Sequence, residues 1–185
     1  DEKMRLSIYD AVTSGALKTN AGRLDFRTYV HSERECIIFD THAEGGETGW
    51  KLDFVPQKAI SPRYVFNSAN APKGYVNAEG KSNPDSYFHK DGDISFSIQA
   101  LAKDTTFTDI ARWYVVAWKT VRNGADSRTI ATVTQADKLA KAEAEAKAII
   151  RNAFSATKEK LDSQHVAWWH NFYRNAAFLT FPDKN

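Results

Sequence analysis

The sequence predicts a mainly β chain, an antiparallel sandwich of short strands followed by two C-terminal α-helices. Up to residue 133, apolar and polar side chains alternate with the period of two that half-buried strands show, and no helical pattern intervenes. From residue 134 the apolar period becomes helical, and residues 135–162 contain no Gly or Pro. The predicted domains are therefore a β-sandwich over residues 1–133 and a helical linker region over residues 134–185 that packs on the sandwich.

The composition excludes several classes of protein. The chain has 185 residues, of which 42% are hydrophobic and 12% aromatic, with 9 Gly and 5 Pro. These values exclude disordered and collagen-like chains and suit one globular domain. The 25 basic and 23 acidic side chains give a net charge of +2, which does not indicate a nucleic-acid partner. No apolar run approaches the ~20 residues that cross a bilayer, so no membrane span is predicted.

The single cysteine and the N-terminus carry two smaller predictions. Cys36 cannot form an internal disulfide, and its apolar neighbours predict a core residue rather than a reactive thiol. The chain begins with neither an initiator Met nor a signal peptide. We therefore expect a processed protein or an excised segment.

The strand predictions follow the chain in order. They are residues 22–31, 35–41, 50–55, 93–101, 111–120 and 128–133. The first of them places its apolar positions on one face and its charged positions on the other, and these are Leu24, Phe26, Thr28 and Val30 against Arg23, Asp25, Arg27 and His31. The apolar run in residues 35–41 predicts burial on both faces. A Gly-rich turn covers residues 44–49, and residues 61–90 read as a long loop with one or two short strands.

The helical region divides into two predicted helices. Thr134 and Asp137 resemble a capping box before one long helix that runs to about residue 162. A second helix is predicted from residue 162 or 163 to about 176, and residues 178–181 are predicted to be extended. The apolar stripe consists of Leu139, Ala142, Ala146, Ile149, Ile150, Ala153, Phe154 and Leu161.

No catalytic or metal-binding pattern emerges from the residues. Alternation with apolar neighbours predicts that Asp25, Asp40 and Asp53 face solvent. The five histidines lack the H-x-H or H-x-x-x-H spacing of metal ligands, so no metal or cofactor is predicted. For His165 and His170 we expect packing or hydrogen-bonding roles.

Aromatic residues supply the remaining candidates. Sugars stack on exposed Trp and Tyr rings, so the candidate carbohydrate-binding residues lie beside the Gly-rich turn and the long loop. They are Trp50, Tyr64, Tyr75 and Tyr87. The second helix carries too many rings for one side, so at least one should point away from the sandwich, towards another surface. These candidate domain-interface residues are Trp168, Trp169, Phe172 and Tyr173.

Several segments together resemble a known enzyme family. Residues 5–11 (RLSIYDA) and 22–31 (GRLDFRTYVH) resemble an N-terminal β-supersandwich of bacterial glycoside hydrolases. Residues 114–119 and 165–173 look like the final strand and the linker helices of that family. Residues 178–183 are similar to the stretch before its catalytic domain. The family is that of the fucosidase-like enzymes, glycoside hydrolase family 95.

The resemblance implies a galactose-mutarotase-like supersandwich, two linker helices and a downstream (α/α)6 barrel in the same chain. The barrel carries that family's catalytic acids, so no catalytic residue is carried onto this sequence. The implied function is a non-catalytic N-terminal module of a larger, periplasmic or extracellular carbohydrate-active enzyme, with oligo- or polysaccharide as a further ligand. This chain alone is then not catalytic, whereas its parent is a glycoside hydrolase. Two alternatives stay open, a free-standing carbohydrate-binding module and a mutarotase-like sugar enzyme.

Overall fold

The computed structural model describes residues 2–47, 49–56, 84–101 and 112–176. It confirms the predicted fold class, which is mainly β, antiparallel and β-sandwich-like, with two C-terminal helices. The strands are β1 (Glu2–Ser7), β2 (Val12–Lys18), β3 (Gly22–Val30), β4 (Cys36–Gly45), β5 (Tyr87–Asp91), β6 (Ile94–Leu101), β7 (Arg112–Asn123) and β8 (Asp126–Ala136). The helices are α1 (Leu139–Phe154) and α2 (Lys158–Asn175).

The described strands form one eight-stranded sheet in the order β1-β2-β3-β4-β8-β7-β6-β5. The first four strands are an antiparallel meander, in which Tyr29 of β3 pairs with Ile38 of β4. β7 returns into β8 through the two residues Gly124 and Ala125, and Gly124 has a φ of 61°. Glycine suits the first position of a two-residue hairpin connection because that position requires positive φ. β8 ends three positions beyond the predicted Val133, at Ala136.

The chain divides into two compact units. The first comprises Asp1–Trp50, Thr120–Ala131 and Ile149–Asn185, and the second comprises Lys51–Lys119 and Thr132–Ala148. β7, β8 and α1 contribute residues to both, and each unit is described by itself below.

The core of the first unit lies between its sheet and the two helices. Its buried members are Val12, Tyr29, Cys36, Ile38, Ile130, Ala153 and Leu161. Cys36 is a core residue as predicted, and burial raises the pKa of its thiol to about 11. The thiol therefore stays protonated and unreactive at neutral pH.

The second unit builds its core on β6, β7 and α1. Phe96 is fully buried, and His89 stacks on its ring with the ring centres 4.8 Å apart. The Lys147 ammonium lies 5.5 Å from the centre of the same ring, and Glu143 of α1 hydrogen-bonds His89 Nε2 at 2.7 Å. The hydrogen bond to His89 and the contact of Lys147 with the Phe96 ring thus hold α1 to β5 and β6.

The alternation in β3 predicts that its apolar face is the buried one. The helices instead contact the other face of the strand. Tyr29 is buried beneath α2, and Arg27 bonds to the same helix, whereas Val30 is 64% exposed. The grouping of Leu24, Phe26, Thr28 and Val30 on one face is correct, but that face is turned away from the helices. Period two identifies which residues share a face and not which face the rest of the chain covers. We call the face of β1–β4 turned away from the helices the outer face.

Two strand predictions are wrong. β4 is not buried on both faces, because Ile37 on the outer face is 44% exposed. Residues 50–55 form no strand. They have no ladder partner among the residues that the structure describes, and their alternation only places Lys51 and Asp53 close enough for a 2.6 Å ion pair. Phe54 instead contacts Trp118, with the ring centres 6.0 Å apart.

The predicted helix boundaries are also wrong. Thr134 does not cap a helix; it belongs to β8, and its hydroxyl donates to the carbonyl of Ala142 at 2.8 Å. The two helices are separated by residues 155–157, whereas the sequence predicts the boundary near residue 162. There Thr157 is the N-cap of α2, and its hydroxyl accepts a 3.3 Å hydrogen bond from the Lys160 N–H. A capping Thr can start a new helix without Gly or Pro, because it satisfies an amide that a helix N-terminus leaves unpaired.

The apolar stripe of the helices is confirmed. Ala142, Ala146, Ile150, Ala153 and Leu161 are all fully buried. Within the described part of the chain, neither α1 nor α2 is long and apolar enough to cross a membrane.

The role of Thr157 as the N-cap of α2 can be tested by substitution. Replacing Thr157 with Ala should lower the free energy of unfolding by about 1 kcal/mol, because the Lys160 N–H loses its acceptor. Urea unfolding followed by circular dichroism measures this loss. Thr157→Ser keeps the hydroxyl and should unfold near the parent midpoint, and an unchanged Thr157→Ala midpoint would show that the cap is not needed.

Candidate functional site

The docking of α2 on the sheet rests on one carboxylate. Asp162 Oδ1 accepts a 2.9 Å hydrogen bond from Arg27 Nη1 and a 2.6 Å bond from the Tyr29 hydroxyl. Burial, reinforced by the bond to Asp162, raises the pKa of Tyr29. The phenol therefore stays protonated and remains a donor to the carboxylate. The Arg27 guanidinium also lies 4.8 Å from the centre of the Tyr29 ring.

A buried histidine extends this contact towards the turns of the sheet. His165 is fully buried, and its Nδ1 accepts the Ser32 N–H at 3.3 Å while its Nε2 lies 3.2 Å from the carbonyl of Ala11. This pair of partners assigns the neutral tautomer with the proton on Nε2. Burial lowers the pKa of His165, so the ring stays neutral at pH 7.

A second histidine lies beside the first. The ring centres of His31 and His165 are 6.0 Å apart, and His31 Nδ1 accepts the Glu33 N–H at 3.1 Å. Burial lowers the pKa of His31 as well, and the nearby Arg34 adds to the effect. Both rings therefore serve as neutral hydrogen-bonding groups.

The C-terminal half of α2 is held by a second carboxylate. Asp10 Oδ1 lies 2.7 Å from His170 Nε2, and its other oxygen accepts the Ser7 hydroxyl at 2.7 Å. These bonds, the one from Ser7 foremost, lower the pKa of Asp10. Tyr9 stacks on His170 with the ring centres 4.0 Å apart. The packing and hydrogen-bonding roles expected of His165 and His170 are thus confirmed.

The four candidate interface aromatics form one cluster on α2. We call Trp168, Trp169, Phe172 and Tyr173 the aromatic patch. The Trp168 and Phe172 rings are parallel within 4° with centres 5.7 Å apart, and they are 39% and 48% exposed. Trp169 meets both by its edge and lies half-buried beneath them. Trp168 and Phe172 are thus the two rings of the patch that are exposed to solvent.

The candidate carbohydrate-binding residues are dispersed. Trp50 belongs to the first unit, where the Arg122 guanidinium covers one face of its indole at 4.4 Å and donates to its carbonyl. Tyr87 belongs to the second unit and is exposed on β5. Tyr64 and Tyr75 lie outside the described residues, as does most of the predicted long loop.

The first unit also contains an open cavity of about 400 Å³ around a buried ion pair. Arg128 donates to both oxygens of Asp40, at 2.7 and 2.8 Å, and Lys158 Nζ lies 3.7 Å from the same carboxylate. The prediction that Asp40 faces solvent is therefore wrong, because the carboxylate turns inward to Arg128. Phe154 and Val121 add apolar walls. With both oxygens engaged, Asp40 is poorly placed to act as a general base.

In residues 2–47, 49–56, 84–101 and 112–176, no group of three or more His, Cys, Asp or Glu side chains could hold a metal ion. No family model matches the chain, and no curated protein matches it.

The residues that dock α2 were missed at the sequence level. Asp162 lies 133 positions from Tyr29 and 135 from Arg27, so no local pattern connects them. One signal was available: Arg27, Tyr29 and His31 occupy alternate positions, and that row of long polar side chains shares one face of β3.

The two neutral histidines predict a pH-dependent stability. Their pKa values are lower in the folded chain, so the unfolded chain binds more protons below its ordinary histidine pKa of about 6.5. Stability is therefore fully present above about pH 6.5, and the free energy of unfolding should fall as the pH drops from there towards 5, by at most about 1.4 kcal/mol per pH unit for each histidine.

Two variants assign this dependence. Between pH 5 and 7.5, the free energy of unfolding should depend less steeply on pH in His165→Gln than in the parent, because one titrating group is gone. His42→Gln is the control. The bond to Asp126 raises the pKa of this exposed histidine, so its contribution to the free energy of unfolding changes with pH in the opposite direction. A His165→Gln profile as steep as that of the parent would refute the assignment.

Proposed function

We propose that this chain is a non-catalytic module of a larger carbohydrate-active enzyme and that the aromatic patch packs against the catalytic domain, an (α/α)6 barrel. The observation that carries the proposal is the stacked, exposed Trp168–Phe172 pair. Large aromatic side chains are enriched at protein interfaces and costly to leave in water. The family resemblance supplies the carbohydrate context and the identity of the neighbouring domain.

The rigidity of the helix under the patch supports a docking role. Asp162, His165 and His170 each bond to the sheet or its turns, so α2 is fixed at three successive levels along its length. A fixed helix presents its rings in one geometry, which lowers the entropy lost on association.

The free-standing carbohydrate-binding module is the second candidate, and the exposed Tyr87 and Phe88 on β5 favour it. Against it, Arg122 already occupies one face of the Trp50 indole. We rank the mutarotase-like enzyme below both, because the buried His31 and His165 bond to backbone groups and Asp40 bonds to Arg128.

The size and activity of the native protein test the proposal directly. An antibody against this segment should isolate from the source cells a species much larger than 20.8 kDa that hydrolyses a glycoside in a broad panel. A species of about 20.8 kDa, or a large species inactive on every glycan, would contradict it.

Substitutions in that native protein test the role of the patch. Trp168→Ala with Phe172→Ala should lower the temperature at which glycosidase activity is lost, because the docked domain loses its aromatic contacts. Asn171→Ala with Arg174→Ala changes two exposed positions of the same helix and should leave that temperature near the parent value. Equal effects of the two pairs would mean that the patch does not dock.

Glycan titration of the chain separates the two candidates. Under the docking proposal, oligosaccharides should leave the Trp fluorescence of this chain unchanged. A saturable shift that disappears in Tyr87→Ala, and persists in the Trp168→Ala, Phe172→Ala variant, would favour the carbohydrate-binding module instead.

A further inference from the structure

The outer face of β1–β4 has one ionisable position, Glu2 at the start of β1. It consists of the even-numbered positions of β1 and β3 and the odd-numbered positions of β2 and β4, as the strand registers require. From Met4 to Ala43, none of these positions carries an ionisable side chain. The ionisable side chains of these strands, from Lys3 to Glu44, occupy the alternate positions. A sheet whose outer face meets only water carries its polar and charged side chains on that face, so the distribution here is reversed.

Much of the outer face is also exposed, although Thr41 of β4 is buried. Met4 and Leu6 on β1 are 76% and 62% exposed, and Leu17, Val30 and Ile37 continue the exposed surface onto β2, β3 and β4. Single exposed apolar residues are ordinary, but a contiguous set across four strands is typical of an interaction surface.

The face is built to be flat. The rings of Phe26 and Phe39 stack within 11° of parallel, with their centres 5.8 Å apart. Phe26 also lies over Gly15, where a Cβ atom would come within 2.6 Å of the ring. Glycine at this position therefore lets the ring lie low on the sheet, and a low, apolar, pleated surface is the kind that packs on another sheet.

We propose that a second copy of this chain packs on the outer face, sheet against sheet. The face is chemically self-complementary, because two apolar surfaces whose one ionisable position, Glu2, lies at the end of the edge strand meet with little like-charge repulsion and little desolvation of charge. The net charge of +2 adds little repulsion between copies. Apart from Glu2, the charged positions of β1–β4 lie on the other face and keep their partners in such a dimer, among them Arg27 with Asp162.

The size of the face sets the strength of the dimer. Four strands about 4.8 Å apart and about seven residues long cover a flat area on the order of 400 Å². A dimer buries this area on both copies, and the relief of the side chains adds to it. The total buried area thus approaches about 1,200 Å², the lower end of the range for specific interfaces. We therefore expect a reversible dimer with a dissociation constant in the micromolar range.

Sedimentation of the purified chain from about 1 to 200 µM covers that range. The weight-average mass should rise from 20.8 kDa towards twice that value. Leu6→Lys with Val30→Lys should raise the dissociation constant at least about tenfold, because each copy would bury two charges at the interface. Both positions are exposed, so the monomer should keep the circular dichroism of the parent.

Two controls locate the contact. Ser14→Lys adds the same charge at an exposed position on the other face of β2 and should leave the dimer intact. Trp168→Ala with Phe172→Ala should also leave it intact, which separates this dimer from docking through the aromatic patch. A mass of 20.8 kDa at every concentration would overturn the proposal and leave the face to a different protein or a lipid surface. Loss of the dimer in either control, or its persistence in the Leu6→Lys, Val30→Lys variant, would also overturn it.

Discussion

The contact of Asp162 with Arg27 and Tyr29 is the interaction on which the first unit depends. It is the point where α2 meets the sheet through charge and hydrogen bonding as well as through apolar packing. Arg27 and Tyr29 both lie on the face of β3 that the helices contact, so the carboxylate decides which face of β1–β4 becomes internal. The outer face is the consequence, because the apolar positions on that side receive no cover from the helices.

The same contact shapes the surface at the C-terminal end of α2. Asp162 fixes the rotation of the helix, and one turn later His165 must enter the space between the turns of the sheet. The rings further along then have little freedom: Trp169 and Tyr173 lie towards the sheet, while Trp168 and Phe172 face outward. The aromatic patch is thus a product of helix rotation and not only of aromatic composition.

Much of the fold could be read from the sequence, since it depends on short-range pattern. Period two located β3, β6, β7 and most of β8, and period 3.6 identified the buried stripe of the helices. The rest depends on partners that are distant in the chain. Residues 50–55 alternate like a strand but pair with no strand in the described part of the chain. Asp40 has the pattern of a solvent-facing carboxylate, and only the position of Arg128 shows that it turns inward. The aromatic patch was predictable because its rings are neighbours in sequence, whereas the α2 contacts were not.

One consequence concerns the two turns that His165 joins. Ala11 follows β1 with a left-handed φ of 51°, and Ser32 follows β3; a single imidazole bonds to the backbone of both. Surface turns usually accept insertions and deletions freely. Here a change of length in either turn would move a backbone group away from the ring, so homologues should vary in the length of other loops while these two turns keep theirs. The geometry of the hairpins is thereby tied to the position of a helix more than a hundred residues further along the chain.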